Sequence, residues 1–287
     1  MNALSIVDSH VHLWNPAQLR YPWLDGLPAL NRLFLPGDFF EAGANAGVRK
    51  IIFVEAGCEP SQGLAEADWI SELARSEPRL KGIVAFAPLE KGKAASTELQ
   101  ELAARPLVKG IRRNLQGERD PEFCLRPNFI AGLELLGEFG FTFDLCIRHD
   151  QLPAVTKLVH SVPHVTFVLD HFGKPDVRGK KLEPWATDLK ALAAMPNVVC
   201  KISGLTTEAD WKNWQPDDLK LYFKTALECF GFDRLLFGSD WPVVTLAANY
   251  GRWLETVQEF FSFAEETDLV KLFQTNAERI YRVQSQK

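Results

Sequence analysis

Short apolar runs alternate along this chain with longer stretches whose apolar residues recur every three or four positions. The short runs have the length and the β-branched and aromatic content of strands, and the longer ones have the period of amphipathic helices. Strand-like runs begin at Ser5 (SIVDSHVH), Lys50 (KIIFVEA), Leu80 (LKGIVAFAPL), Leu107 (LVKGIRR), Phe141 (FTFDLCI), Val165 (VTFVLDH), Val198 (VVCKISGL) and Arg234 (RLLFGSDWP). Between them lie LAEADWISELAR, FIAGLELLGEFG, LPAVTKLVHSV and DDLKLYFKTALECF. LPGDFFEAGANAGV reads as a helix stopped by Gly47, because glycine best accepts left-handed backbone at a helix end.

Strands in strict alternation with helices predict the α/β class, and eight of them predict a (β/α)8 TIM barrel. A doubly wound open sheet would want a Gly-rich phosphate turn after the first strand, and SHVHLWNP is not one. No Pro/Ser-rich linker, charge block or low-complexity segment cuts the chain, so residues 1–287 read as a single domain. Two connections are long, Trp14 to Leu35 and Gly204 to Pro216. Both follow strand ends, on the face where barrels carry their active sites.

Side chains alternate across a strand, so Asp8, His10 and His12 are expected on one face. A rise of about 3.3 Å per residue sets the two histidines roughly 6–7 Å apart. In the sixth strand, alternation groups Phe167, Leu169 and His171, with Asp170 opposite; in the eighth, Asp240 shares a face with Leu236 and Gly238. Three histidines and one aspartate from strands one, six and eight are thus expected to meet over the barrel mouth. That set suits a metal ion or a single reacting atom, and the residues alone leave both open. His149, His160 and His164 fall in or beside connecting segments.

Composition narrows the function classes. Hydrophobic residues make up 46% of the 287, enough for a large core, and the net charge of −5 argues against a nucleic-acid or anionic-membrane partner. No apolar run reaches the roughly 18 residues needed to span a bilayer. Cys58, Cys124, Cys146, Cys200 and Cys229 are scattered, with no C-x-x-C pair, which predicts reduced thiols rather than a disulfide framework or a zinc–thiolate cluster. With the first strand starting near residue 5, a signal peptide is not expected, and the cytoplasm is the predicted compartment.

The motifs D-S-H-V-H-L-W, L-D-H-F-G-K-P and F-G-S-D-W-P resemble the amidohydrolase superfamily, within its branch of small-lactone hydrolases. The likeness implies a hydrolase acting on carboxylic ester bonds, with a small-molecule sugar-acid lactone of the L-fuconolactone kind as substrate. It also implies that His10, His12, His171 and Asp240 occupy the superfamily's positions on strands one, six and eight. Members with two metals carry a bridging lysine or glutamate after strand four and a histidine after strand five. Here strand four ends GIRRNLQ and strand five FDLCIR, with His149 beyond it. At most a single zinc is therefore expected, on His10, His12, His171 and Asp240, and the reaction is expected to require no metal.

A lactone is an activated ester, which needs a base for water and a donor for the carbonyl oxygen. Asp240 is the expected base; His10, His12 or His171 would donate, assisted by Arg112. Arg112 shares a side with Gly110, pointing it into the barrel, while Arg113 is assigned to an outer salt bridge. Glu55, Asp144 and Arg148 are candidates to grip hydroxyls, and Trp14, Trp23 and Trp241 to pack on a sugar face. Lys201 and Ser203 share a face of strand seven, where a structural ion pair is the ordinary reading. Two other functions stay open: a metal-dependent hydrolase or decarboxylase on the same frame, and a sugar-binding barrel without catalysis. Sugar stereochemistry, ring size and oligomeric state are not specified by the sequence.

Overall fold

The computed structural model describes residues 5–283 except Asn45. Eight parallel strands follow one another in sequence order around the sheet: β1 Ile6–Val11, β2 Val48–Val54, β3 Leu80–Ala85, β4 Val108–Ile111, β5 Thr142–Leu145, β6 Phe167–Leu169, β7 Val198–Ile202 and β8 Leu235–Phe237. The ring closes beyond the end of β8, where the His12 N–H donates to Trp241 O (2.8 Å) and the Asp240 N–H to His10 O (2.9 Å). The eight expected strands and the TIM-barrel architecture are present. The bonds that close the barrel also set His10, His12 and Asp240 side by side.

Facing differs from simple alternation in two strands. Val7, Ile52, Val54, Val84, Val168, Val199 and Leu236 form one cluster inside the barrel. A register irregularity between Asp8 and Val11 resets β1, so Val7 points inward and Asp8 outward to Tyr250, while His10 and His12 turn inward beyond the irregularity. Asp8 therefore does not share a face with the histidines. In β6, Val168 is the inward residue, and Phe167 and Leu169 face the helical layer. Asp170 continues the inward row, opposite Phe167 and Leu169 as expected, but it is this face and not theirs that points into the barrel.

The inner cluster is completed by Ala277, Ile280, Tyr281 and Val283, which follow or form the last helix, Asn276–Ile280. This segment plugs the end of the barrel opposite the histidines, tied by Lys50 Nζ donating to Val283 O (2.9 Å). Each large apolar side chain buried there contributes roughly 1.5–3 kcal/mol. The lower barrel is thus held by apolar packing, and the upper part is free for polar groups.

Helix ends also depart from expectation. The first helix is Pro36–Ala42 and stops at Gly43; Gly47, with φ 74°, instead turns the chain into β2. FIAGLELLGEFG divides into helices Pro127–Glu134 and Leu136–Phe139, ended by left-handed Gly140. Among the described residues no helix is long and apolar enough to cross a membrane, and all five cysteines are free thiols.

Candidate active site

The end of β1 and the segment after β8 are stitched together by Asp8. Its carboxylate accepts the N–H of His10 (3.1 Å) and of Ser239 (2.9 Å), and the hydroxyl of Tyr250 (3.2 Å). Burial pushes Asp8 up to about 6, against the pull of these donors. Gly238 is needed because a Cβ there would lie 2.8 Å from His10 Cβ. Asp240 sits in left-handed backbone (φ 60°), which aims its carboxylate at the histidines. Its Oδ1 lies 3.3 Å from His12 Nε2, 3.7 Å from His10 Nε2 and 3.9 Å from His171 Nε2.

His171 arrives by a different route. Beyond β6 the chain makes a left-handed run: His171 (φ 53°), Phe172 (φ 57°), Gly173 (φ 69°) and Lys174 (φ 50°). Left-handed backbone costs a non-glycine residue on the order of 1–2 kcal/mol, so this turn persists only because its surroundings hold it. His171 Nδ1 meets Ser203 Oγ at 2.9 Å. Gly204 leaves room for the ring, since a Cβ there would fall 2.4 Å from His171 Nδ1.

Beneath the histidines runs a chain of buried charges. Arg112 donates to Glu55 Oε1 (2.7 Å), Glu55 O and Asp170 Oδ2 (3.1 Å). Lys201 pairs with Asp170 (3.0 Å) and Asp144 (2.6 Å), and Asp144 also accepts from Tyr281 (2.8 Å). His10 is seated on this chain, with Nδ1 3.1 Å from Lys201 Nζ and 3.2 Å from Asp170.

The electrostatics follow from burial and neighbours. Burial lowers His10 well below its usual range, despite Asp170, and lowers His171 to about 4, despite Asp240. Burial alone would raise Asp240, but His171, His12 and His10 outweigh it and hold the carboxyl far below the ordinary range. At neutral pH the site therefore presents neutral His10 and His171 beside ionised Asp240. His12 Nδ1 lies 2.8 Å from Val54 O. In a neutral ring that contact fixes the Nδ1–H tautomer and turns a lone pair on Nε2 toward Asp240. A lone pair and a carboxylate that face each other need a proton, a water or a metal ion between them.

His10, His12 and Asp240 offer ligand atoms within 4.8 Å of one another, as do His10, Asp170 and His171. Imidazole nitrogens with one carboxylate oxygen make a donor set that zinc accepts. Arg112 acts against it, because a guanidinium nitrogen stands 3.4 Å from His10 Nε2, the atom a metal would need.

Above the charges opens a cleft of about 440 Å³, lined by His12, His171, Asp240 and Arg112 and, beyond them, by Trp23, Asn114, Gln116 and Lys174. Of the residues singled out from sequence, His10, His12, His171, Asp240 and Arg112 come together, and Trp23 walls the cleft. The others sit elsewhere. Glu55 is buried against Arg112 and the Gly57 N–H (2.7 Å), so it holds the arginine. Asp144 is fully buried under Lys201. Arg148 is exposed and paired with Asp150 (3.0 Å). Trp14 donates to Leu30 O and packs on Phe34, and Trp241 packs on Phe34 and Phe39. Arg113 makes the expected outer pairs, with Glu90 and Glu118.

Asp170, Lys174, Asn114 and Gln116 were not anticipated. Lys174 stands within the D-H-F-G-K-P motif, but its direction depends on a left-handed run that alternation cannot foresee. Lys201 and Ser203 do share the inward face of β7, and Lys201 is the buried ion-pair residue expected there.

A family model described as amidohydrolase matches residues 7–283. An L-fucono-1,5-lactonase of Burkholderia multivorans is 34% identical, covering 89% of this chain and 90% of its own. An L-rhamnono-gamma-lactonase of Scheffersomyces stipitis is 24% identical, covering 99% and 100%. Among solved structures, an amidohydrolase from Burkholderia multivorans with bound zinc superposes with a TM-score of 0.88 at 31% identity, over 98% of this chain and 100% of that one.

Proposed function

The chain belongs to the amidohydrolase family, and from that premise we propose that it hydrolyses a sugar-acid lactone, of the L-fuconolactone kind, to the open aldonic acid. The observation that carries this reading is the convergence of an ionised Asp240, a neutral His171 and a pinned Arg112 on one cleft large enough for a monosaccharide lactone.

In the proposed reaction, a water oxygen bonds to the lactone carbonyl carbon while its proton passes to Asp240. His171 and Arg112 donate hydrogen bonds to the carbonyl oxygen as charge gathers on it; such a donor is worth roughly 3–4 kcal/mol. Collapse of the tetrahedral intermediate breaks the ring C–O bond, and the ring oxygen leaves as a hydroxyl by taking the proton back. The net change is the addition of one water, and the new carboxylic acid then ionises. An activated ester asks little of the base, so the Asp240 carboxylate beside the histidines suffices to take the proton from water and return it to the ring oxygen. His10, fully buried, positions the other groups.

The donor set favours a second reading, in which zinc held by His10, His12 and Asp240 would supply Lewis-acid polarisation of the carbonyl. A pH-indicator assay on a panel of aldonolactones, with and without a strong chelator, separates the readings, because ring opening releases a proton. Turnover that survives chelation supports the metal-free route. Turnover lost on chelation and restored by zinc supports the second. Saturable sugar binding with no turnover of any lactone or ester would leave a non-catalytic barrel.

A further inference from the structure

The left-handed turn after β6 presents a second side chain besides His171. Lys174, its last member, lines the same cleft as His171, Arg112 and Asp240, and also lines an adjoining hollow bordered by Arg148, Asp150 and Glu208. The two permanent cations of the cleft differ in freedom. Arg112 is locked by direct bonds to Glu55 and Asp170. The Lys174 ammonium faces Glu208 across 3.6 Å, beyond hydrogen-bond contact, on a flexible four-carbon stem.

A neutral lactone brings no charge into the cleft, but its tetrahedral intermediate and its opened acid are both anions. Arg112 cannot leave its partners without taking the cation from buried Glu55. Lys174 can exchange its long pair with Glu208 for a direct one with new negative charge. We propose that Lys174 is the anion subsite of this cleft: it stabilises the oxygen on which charge gathers during ring opening, and it holds the product carboxylate afterwards. The inference rests on the lactone reading of the site. It also accounts for where the backbone strain sits. Ordinary strand-end geometry has no reason to return residues 171 and 174 to one cleft, whereas the left-handed run does so.

The test compares Lys174→Met, Lys174→Arg and Glu208→Gln with the parent protein, on the best lactone and on D-gluconate as an aldonate probe in calorimetry. Lys174→Met should lower kcat about a hundredfold with KM within about threefold, and weaken gluconate binding at least tenfold. Lys174→Arg should recover both to within about tenfold. Glu208→Gln should keep kcat within about threefold, because the ammonium remains. If Lys174→Met keeps its kcat, or if it and Glu208→Gln lose kcat equally with gluconate binding unchanged, the pair is structural and the proposal falls. If no lactone is opened even by the parent, the lactone reading fails separately, and gluconate still reads the subsite. Binding lost in Lys174→Met then supports the anion role, and equal binding or none by either protein overturns it.

Discussion

The Lys201 ammonium lies 3.1 Å from Nδ1 of His10, in the centre of the barrel, where neither side chain has any exposed surface. The lysine is also the shared counter-ion of Asp144 and Asp170. Lys201→Met would fill a similar volume but take the ammonium from two buried carboxylates, leaving Asp144 with the Tyr281 hydroxyl and Asp170 with Arg112. Breaking a buried pair by removing one partner typically costs 3–5 kcal/mol. The expected result is a loss of about that size in urea unfolding. A loss under about 1 kcal/mol would show that the carboxylates are protonated or hydrated rather than paired.

Asp240→Asn keeps the shape of the side chain and removes its capacity to take a proton. A positioned proton transfer contributes on the order of 10²–10⁴-fold. We expect kcat on the best lactone to fall at least about a hundredfold, measured on folded protein. Near-normal kcat would move the base to another group.

The fold was legible in the chain because eight apolar runs alternate with helical periods, and that period survives local irregularity. The candidate site was legible where residues follow regular strands, as Arg112 does beyond Gly110, and the inward face of Leu236 pointed to Asp240 although left-handed backbone is what aims its carboxylate. It was illegible where backbone leaves the strand. The irregularity in β1 separates Asp8 from the histidines, and the left-handed turn brings His171 and Lys174 into the cleft while Asp170 keeps the strand's inward side. The tryptophans show another limit. Trp14 and Trp241 neighbour His12 and Asp240 in sequence, yet packing draws both into an aromatic cluster around Phe34, and of the three candidate tryptophans Trp23 remains on the cleft wall.

Glu66 gives a pH signature away from the histidines. It is buried beside Glu55, accepts the Ala56 N–H (3.2 Å), and is pushed up to about 8 by burial and by the Glu55 charge. The folded state thus binds a proton that the unfolded chain releases near its ordinary 4.5. Stability from this group is fully present below about pH 4.5 and is lost as pH rises through about 8. Glu66→Gln imitates the protonated form at every pH. Between pH 5 and pH 8.5 the variant should gain roughly 4 kcal/mol relative to the parent in paired urea titrations. A difference that stays constant with pH would mean Glu66 is ionised throughout.

Gly204→Ala tests whether His171 must sit where it does. The new methyl would fall 2.4 Å from His171 Nδ1, and the position has φ 61°, where a Cβ is strained. The ring must swing away from Ser203, carrying Nε2 from its place 3.9 Å from Asp240. Because the residue lies in the loop after β7 rather than in the lower apolar core, the cost to folding should be modest, on the order of 1–2 kcal/mol. A displaced donor costs about 10²-fold or more in rate. The expected pattern is therefore a kcat loss much larger than the stability loss predicts, with gluconate binding at Lys174 largely kept. Should kcat and stability fall together in proportion, His171 would be acting as packing, and the donor role would pass to Arg112 and Lys174.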